Sequence, residues 1–345
     1  MKKIGIFDSG VETPEEIIMA AGLVPFRLFG NPTIEPDKAN EHIPPTHCIW
    51  TRNLLEQVIT GLDEDIVGIV SSHGCDRTNR EFDIWLECLD YKFMYFLNAP
   101  RKRDDLAFKF FLDDLSEFKE QLEDTFKVEI SDPKLEEAIQ KMNKVRVLLK
   151  EISEYRSKYL LKGSEFHALV KKAQTLPKDE VLNILTTRLN ELKTAQNSFG
   201  NGMKPILLTG SDIDDSEFLV LLENLGFHII IDDLGVGTKY FWNLISENES
   251  PIEAIAKYHL STPIHSTKFP SYERFEVLKH LAEKYKISGV INVAQKFCEP
   301  VLYDHPYLKK KFKELGVPYL FVEMTYNRES YSQLSTRFSA FAEMI

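Results

Sequence analysis

The cysteines are the residues of this sequence best suited to metal or redox chemistry: Cys48, Cys75, Cys88 and Cys298. They form no CxxC pair, and they stand too far apart along the chain to match a compact ferredoxin motif. Thiols can ligate a soft metal centre, and they can equally be buried as small apolar side chains. Spacing alone leaves both interpretations open, although Cys88 lies within a helical pattern and is best interpreted as a core thiol.

The elements that position the other three cysteines favour a shared site. Cys48 lies between a proline-bearing loop and a helix predicted at 53–60. Cys75 follows an apolar run at 66–70. Cys298 follows a similar run at 289–293 and precedes a helix predicted near His305. Such continuous apolar runs are typical of parallel strands buried on both faces. Ligands bind beyond the carboxyl ends of parallel strands. The three thiols could therefore meet in a cleft between two lobes.

The order of predicted elements indicates an α/β fold. Strands and helices alternate through residues 1–103 and again through 201–345, whereas 104–200 shows helical patterns only, including one long amphipathic helix that begins near Pro133. We expect two doubly wound, Rossmann- or flavodoxin-like lobes with mainly parallel sheets, joined by the helical segment. The two lobes could be copies of one architecture.

Composition argues against several functions. The 345 residues include 42 Lys and Arg against 53 Asp and Glu, a formal net charge of −11, which does not suit a protein that neutralises nucleic-acid phosphates. No stretch approaches the roughly 18 consecutive apolar residues that span a bilayer. The apolar run after Met1 is too brief for a secretory signal. We expect a cytoplasmic protein that binds neither nucleic acid nor membrane.

Several short motifs, in a fixed order along almost the whole chain, carry a resemblance to a known family. They are PEEIIMAAG at 14–22, Cys48 with Arg52, Cys75-Asp76 with Arg80 and Trp85, KFCEP at 296–300, GVPYL at 316–320 and TRFSAFAE at 336–343. With these motifs the chain resembles the large subunits of 2-hydroxyacyl-CoA dehydratases and the matching subunits of ATP-dependent benzoyl-CoA reductases.

The resemblance implies a cofactor and an activity. The cofactor would be a [4Fe–4S] cluster held by Cys48, Cys75 and Cys298, with one iron left open as a Lewis acid. The activity would be that of a lyase of anaerobic metabolism, in which single-electron reduction of an acyl-CoA thioester is followed by loss of the 2-hydroxyl. An oxidoreductase of the benzoyl-CoA reductase type is the alternative, and so is a non-catalytic electron-relay subunit. An α/β protein without metal is a further hypothesis.

The resemblance also implies partners and substrate-side residues. The partners would be a related second large subunit, in a homo- or heterodimer, and an ATP-dependent iron–sulfur activator protein. A substrate-binding subunit would offer a serine and a glutamate near the first helix; Ser9 is the serine available, and no carboxylate follows directly after Pro25. The remaining candidates for holding an anionic acyl-CoA are Arg52, Arg77, Arg80 and His73, and the basic run 101–103 could meet the CoA phosphates. The three arginines could equally cap or pair on helix surfaces, whereas a plain polar loop residue is the favoured interpretation of His73 and a solvated run that of 101–103.

Overall fold

The fold is given by a computed structural model, which describes residues 1–8, 12–61, 65–196, 198–200, 202–263, 265–268 and 271–345. These residues form two sheets, each of four parallel strands. The strands of the first sheet are β1 (Lys3–Phe7), β2 (Val24–Arg27), β3 (Ile66–Ser72) and β4 (Phe93–Leu97). Those of the second are β5 (Lys204–Gly210), β6 (Phe227–Asp232), β7 (Gly289–Gln295) and β8 (Tyr319–Met324). The predicted α/β class with two parallel sheets is confirmed.

The two sheets have the same topology. The first has the strand order β2-β1-β3-β4 and the second the order β6-β5-β7-β8, with parallel pairing at every neighbouring pair. In each sheet the chain moves outward to one side and then returns to build the other side. The order therefore reverses between β1 and β3, and between β5 and β7. Ligands of open α/β sheets bind at the carboxyl ends of the strands beside such a reversal.

Helices connect and cover the strands of both sheets. They are α1 (Glu15–Ala20), α2 (Ile49–Ile59), α3 (Asp76–Cys88), α4 (Asp105–Phe126), α5 (Asp132–Ser157), α6 (Gly163–Thr175), α7 (Lys178–Thr194), α8 (Ser216–Asn224), α9 (Pro251–Ser261), α10 (Ser271–Tyr285), α11 (Glu299–Glu314) and α12 (Glu329–Met344). The all-helical stretch is confirmed by α4 to α7, and the long amphipathic helix by α5. No helix of the described ranges combines the length and the apolar character that crossing a membrane requires.

Two helices begin earlier than the sequence pattern predicts. α2 begins at Ile49 rather than 53, and α11 begins at Glu299 rather than near His305. Trp50 in the first turn of α2 is buried, and its indole N–H donates to Asp214 of the second lobe, so tertiary contact extends this helix. Pro300 occupies the first turn of α11, where its missing N–H costs no hydrogen bond. Both shifts place a cysteine directly before a helix.

The first sheet is buried on both faces because its strands are largely apolar. Ile4 and Ile6 of β1 contact one hydrophobic cluster, while Phe7 belongs to the cluster on the other face and stacks on Trp85 with ring centroids 4.4 Å apart. Gly5 lies between Ile4 and Ile6, where a Cβ atom would come within 2.7 Å of the Ile69 side chain. The close packing of β1 against β3 therefore leaves no room for a side chain at this position.

The helical segment covers the first sheet together with a helix from later in the chain. Phe111 and Phe118 of α4 share a core cluster with Ile255 and Tyr258 of α9, which follows β6 in sequence. The chain thus returns to the first lobe after starting the second sheet. The division into units 1–103, 104–200 and 201–345 stays a prediction.

Gly210 sets the separation of β5 and β7 at the reversal point, and replacing it tests that role. Its φ is +140°, and a Cβ atom there would lie 1.9 Å from the backbone oxygen of Val293. Gly210→Ala should lower the free energy of unfolding by about 3 kcal/mol or more, because backbone cannot rotate away from the clash. Gly226 is the matched control, since its φ is +88° and no atom lies within 4 Å of the position of an added Cβ. Gly226→Ala should cost about 1 kcal/mol. Equal losses in urea unfolding would contradict this.

His167 should make the fold sensitive to acid. Its Nε2 lies 2.8 Å from the Ile213 carbonyl and its Nδ1 lies 2.9 Å from the Ser216 hydroxyl. Burial lowers the pKa of His167 to about 4. The unfolded chain therefore binds a proton that the fold excludes, so stability falls as pH drops from about 6.5 towards 4, by at most about 1.4 kcal/mol per pH unit. His167→Gln should flatten this slope in urea unfolding between about pH 7 and pH 5; an unchanged slope would contradict the assignment.

Candidate metal centre between the two sheets

Cys48, Cys75 and Cys298 line one cavity between the two lobes, with about 370 Å³ of empty volume. Cys75 lies beyond the carboxyl end of β3, and Cys298 beyond that of β7, the strands at the two reversal points. The rest of the wall comes from both lobes: Trp50, Thr51, Thr78, Ser211, Asp212, His265, Thr267, Gln295 and Pro300. The three thiols grouped from the sequence are thus brought together, although they come from distant parts of the chain. Cys88 does not line this cavity.

Each of the three cysteines is the residue that immediately precedes a helix. Cys48 precedes α2, Cys75 precedes α3 and Cys298 precedes α11. The sulfur of Cys75 accepts a hydrogen bond of 3.4 Å from the backbone N–H of Thr78. Unpaired N–H groups and the helix dipole make a helix N-terminus favourable for negative charge. Three such termini therefore surround the cavity and favour thiolate or an anionic group there.

Burial opposes ionisation of the same thiols. It raises the pKa of Cys48 to about 12, and it raises the pKa of Cys75 and of Cys298 as well. Because neighbouring thiolates repel each other, Cys75 further raises the pKa of Cys48 and of Cys298. Hydrogen bonds from the backbone amides of the helix termini lower both pKa values. Without a cation the thiols are therefore protonated at neutral pH. A metal that binds here must displace their protons.

A buried ion pair links the two lobes beside the cavity. The guanidinium of Arg27, at the end of β2, donates to Asp8 Oδ1 at 2.8 Å and to Asp212 Oδ1 at 3.1 Å. Asp214 accepts hydrogen bonds from the backbone N–H of Gly30, at 2.8 Å, and from the indole of Trp50. The loop after β5 is therefore held against β2 and α2 of the first lobe. The same contacts place Asp212 in the cavity wall.

Two titratable side chains share the wall with the cysteines. Burial raises the pKa of Asp212 to about 7; Arg27 counteracts this, and the nearby Asp214 adds to it. His265 is buried, and its pKa lies well below the usual value because of burial and of the cations Lys239, Arg274 and Lys268. The imidazole is thus neutral at pH 7, whereas the carboxyl group of Asp212 exchanges its proton near neutral pH.

The other sequence candidates lie in different places. Arg77 and Arg101 line a wider, open pocket of about 940 Å³ that also includes Cys75 and so adjoins the cavity. Arg52 is buried and donates to Asn40, 2.5 Å away. Arg80 is largely exposed and pairs with Asp83 on its own helix. His73 packs edge-on against Phe96. Arg52, Arg80 and His73 are not among the residues that form the cavity wall, and Ser9 lies outside the described residues.

The wall contains residues that the sequence analysis did not single out. Asp212, Ser211 and Gln295 follow or end β5 and β7, so the rule that ligands bind at the carboxyl ends of strands could have selected them. His265 and Thr267 lie in a loop between α9 and α10, and no local motif marks them. Across the described ranges, no group of three or more His, Cys, Asp and Glu side chains is placed to hold a single metal ion.

Comparison with known proteins gives a consistent result along the chain. A family model described as 2-hydroxyglutaryl-CoA dehydratase, D-component, matches residues 11–345. The chain is 27% identical over 341 residues to the (R)-phenyllactyl-CoA dehydratase beta subunit of Clostridium sporogenes, covering 96% of this chain and 89% of that protein. It is 24% identical over 343 residues to the (R)-2-hydroxyglutaryl-CoA dehydratase subunit beta of Acidaminococcus fermentans, with 96% and 90% covered.

A reductase component is similar as well. The chain is 22% identical over 344 residues to a benzoyl-CoA reductase subunit of Thauera aromatica, covering 97% of this chain and 89% of that protein. These relatives are named as subunits, so each is one component of a complex. Because the family model spans the chain almost from end to end, the protein belongs to the 2-hydroxyglutaryl-CoA dehydratase D-component family.

Proposed function

We propose that this chain is the cluster-bearing subunit of a 2-hydroxyacyl-CoA dehydratase-type lyase, and that Cys48, Cys75 and Cys298 hold one [4Fe–4S] cluster. The observation that carries the proposal is the meeting of three thiols, from both lobes, at one cavity beside the reversal points of both sheets. Family membership supports it, because the relatives include beta subunits of two such dehydratases. A cytoplasmic location is part of the proposal.

The residues of the cavity fit an iron–sulfur cluster in their chemistry. Thiolates are the usual ligands of such clusters, and each thiolate of a polynuclear cluster binds a separate iron, so the sulfurs lie farther apart than the ligands of one ion. The three helix N-termini favour the negative charge of thiolates and inorganic sulfide. The remaining wall residues of the described cavity include no fourth cysteine. One iron would therefore be left without a protein thiolate.

When bound, the cluster would supply single electrons and a Lewis-acidic iron. The chain's own residues would control the surroundings. Asp212 would hold or release a proton at its carboxyl group, because its pKa of about 7 makes both forms accessible. Neutral His265 would offer a hydrogen bond without adding charge. The buried pair of Arg27 with Asp212 would keep this carboxyl group facing the cavity.

The substrate we propose is a 2-hydroxyacyl-CoA thioester that approaches from the open pocket. Arg77 and Arg101 line this pocket and are the basic groups nearest the cavity, but each is paired with a carboxylate of the same wall, Glu299 and Asp76. An anionic CoA ester would have to displace those carboxylates. Arg52, Arg80 and His73 remain weaker candidates for substrate contact, and Ser9 remains the candidate for the leaving hydroxyl. A related second large subunit and an ATP-dependent iron–sulfur activator are the proposed partners.

A non-catalytic electron-relay subunit is the second candidate function. The lack of a carboxylate directly after Pro25 favours it, because a substrate-binding subunit is expected to offer one near the first helix. A reductase of the benzoyl-CoA type remains a further alternative, supported by the similarity to the Thauera aromatica protein. In each version the three cysteines have the same role.

Replacement of single cysteines tests the ligand set. After anaerobic reconstitution, the wild-type chain should carry about four irons and four sulfides. Cys48→Ser, Cys75→Ser and Cys298→Ser should each lose most of this iron, since a hydroxyl is a poor ligand for iron–sulfur clusters, while serine retains the ability to cap a helix. Cys88→Ser is the matched control and should keep the full iron content. A colourless wild type, or equal loss in the control, would overturn the ligand assignment.

Assays with partners test the reaction. Dehydration of 2-hydroxyacyl-CoA thioesters should require this chain, its related subunit and the ATP-dependent activator together, because electrons must reach the substrate through the complex. The Cys75→Ser chain, assembled in the same way, should lower the rate by at least about 10²-fold. Reduction of benzoyl-CoA without dehydration would favour the reductase alternative. Full activity of the related subunit and activator without this chain would contradict both the lyase and the relay.

A further inference from the structure

We propose that Arg77 is a positioning residue that ties the three cysteine-bearing turns to one another across the two lobes. The inference rests on the proposed function, in which these turns carry the ligands of one cluster. Arg77 follows Cys75 by two residues, in the first turn of α3. Its two terminal nitrogens reach the sequence neighbours of the other two cysteines. One guanidinium thereby contacts all three turns.

The contact to the second lobe is the shorter one. Nη2 of Arg77 donates to Oε1 of Glu299 at 2.6 Å. Glu299 is the residue directly after Cys298 and the first residue of α11. A charge-assisted hydrogen bond of this length restricts both side chains. It therefore links the start of α11 to the start of α3.

The second contact stays within the first lobe. Nη1 of Arg77 lies 3.4 Å from Nδ1 of His47, the residue directly before Cys48. A guanidinium can only donate, so Nδ1 must accept and the imidazole proton must be on Nε2. Nε2 lies 3.0 Å from Oε2 of Glu81. The contact with Arg77 thus selects one tautomer of His47, and the approach to Glu81 is a close polar contact.

The far end of this chain of contacts is anchored in the core. The carboxylate of Glu81 accepts a hydrogen bond of 3.0 Å from the indole of Trp85, which is fully buried and stacked on Phe7. His47 and Glu81 are themselves buried. The turn that carries Cys48 is therefore connected through His47 to the core, and through Arg77 to the second lobe.

Arg77 differs from an ordinary surface arginine in its exposure and in its partners. Its side chain is 30% exposed, whereas that of Arg80, one turn further along α3, is 75% exposed and pairs with Asp83 of the same helix. Because Arg77 and Glu299 are partly exposed, their pairing contributes little to global stability, about 1 kcal/mol or less. Its effect should be local, on the relative positions of the three thiolates. Hydrogen bonds around the ligands of a metal centre tune its affinity and reduction potential.

The test uses the reconstituted full-length chain and compares Arg77→Gln, Glu299→Gln and the matched control Arg80→Gln. Arg77→Gln and Glu299→Gln should both release iron to a chelator about tenfold faster than the wild type and should change the electron paramagnetic resonance spectrum of the reduced cluster. Arg80→Gln should match the wild type in both. Thermal unfolding should remain within a few degrees for all three variants, which separates a local effect from misfolding.

Other roles of Arg77 predict different results. A charge effect alone would shift the reduction potential in opposite directions in Arg77→Gln and Glu299→Gln, because one change removes a positive charge and the other a negative charge, and iron release would not change in parallel. A role in substrate binding alone would leave both spectra unchanged. If the wild type forms a cluster and Arg77→Gln behaves like Arg80→Gln, the positioning role is overturned while the ligand assignment stands. A wild type that forms no cluster would overturn the proposed function itself.

Discussion

The buried guanidinium of Arg27 is the constraint on which the arrangement of the two lobes depends. It lies at the end of β2 between Asp8 of the first lobe and Asp212 of the second. Buried charges of this kind are costly to desolvate, and removing one partner of a buried pair typically destabilises a protein by about 3–5 kcal/mol because the other charge is left uncompensated. The carboxyl edges of the two sheets therefore face each other in one relative position. In this position the cysteines beyond β3 and β7 line the same cavity.

Burial and helix termini act in opposite directions on the three thiols. Burial holds them protonated, and the amides of three helix N-termini favour their ionised form. Binding of a cationic centre would release the protons of the three thiols, because the positive charge of the metal stabilises buried thiolates. The same low-polarity surroundings raise the pKa of Asp212, so that a proton-exchanging group lies beside the proposed centre. Ligand chemistry and proton chemistry thus arise from one feature of the fold.

Much of this fold follows from sequence patterns, because the signals are local. The apolar runs before Cys75 and Cys298 predict buried parallel strands, and strands of that kind end where ligands bind. The meeting of the three sulfurs does not follow from such patterns. It depends on Arg27 and Asp212, which are 185 residues apart in sequence and carry no motif that links them. The ligand set could therefore be proposed only through the resemblance to a family, and neither Asp212 nor His265 stands out in the sequence.

The role proposed for Arg77 could not be predicted from the sequence either. In the sequence it is one of several arginines near the cysteines, equally suited to pairing on a helix surface or to holding an anionic thioester. Its contacts with Glu299 and His47 distinguish it from Arg80, although the two lie on one helix. The role of each arginine depends on the element that packs against it, and local sequence spacing does not encode that element.

Iron located by anomalous diffraction at its absorption edge, in crystals of the chain grown under strict anaerobic conditions, most directly tests whether the three cysteines share one iron–sulfur cluster. We expect a compact anomalous peak in the cavity between the sheets, in contact with the sulfur atoms of Cys48, Cys75 and Cys298. Iron bound elsewhere in the chain, or a peak that one of the three sulfurs does not touch, would contradict a shared cluster.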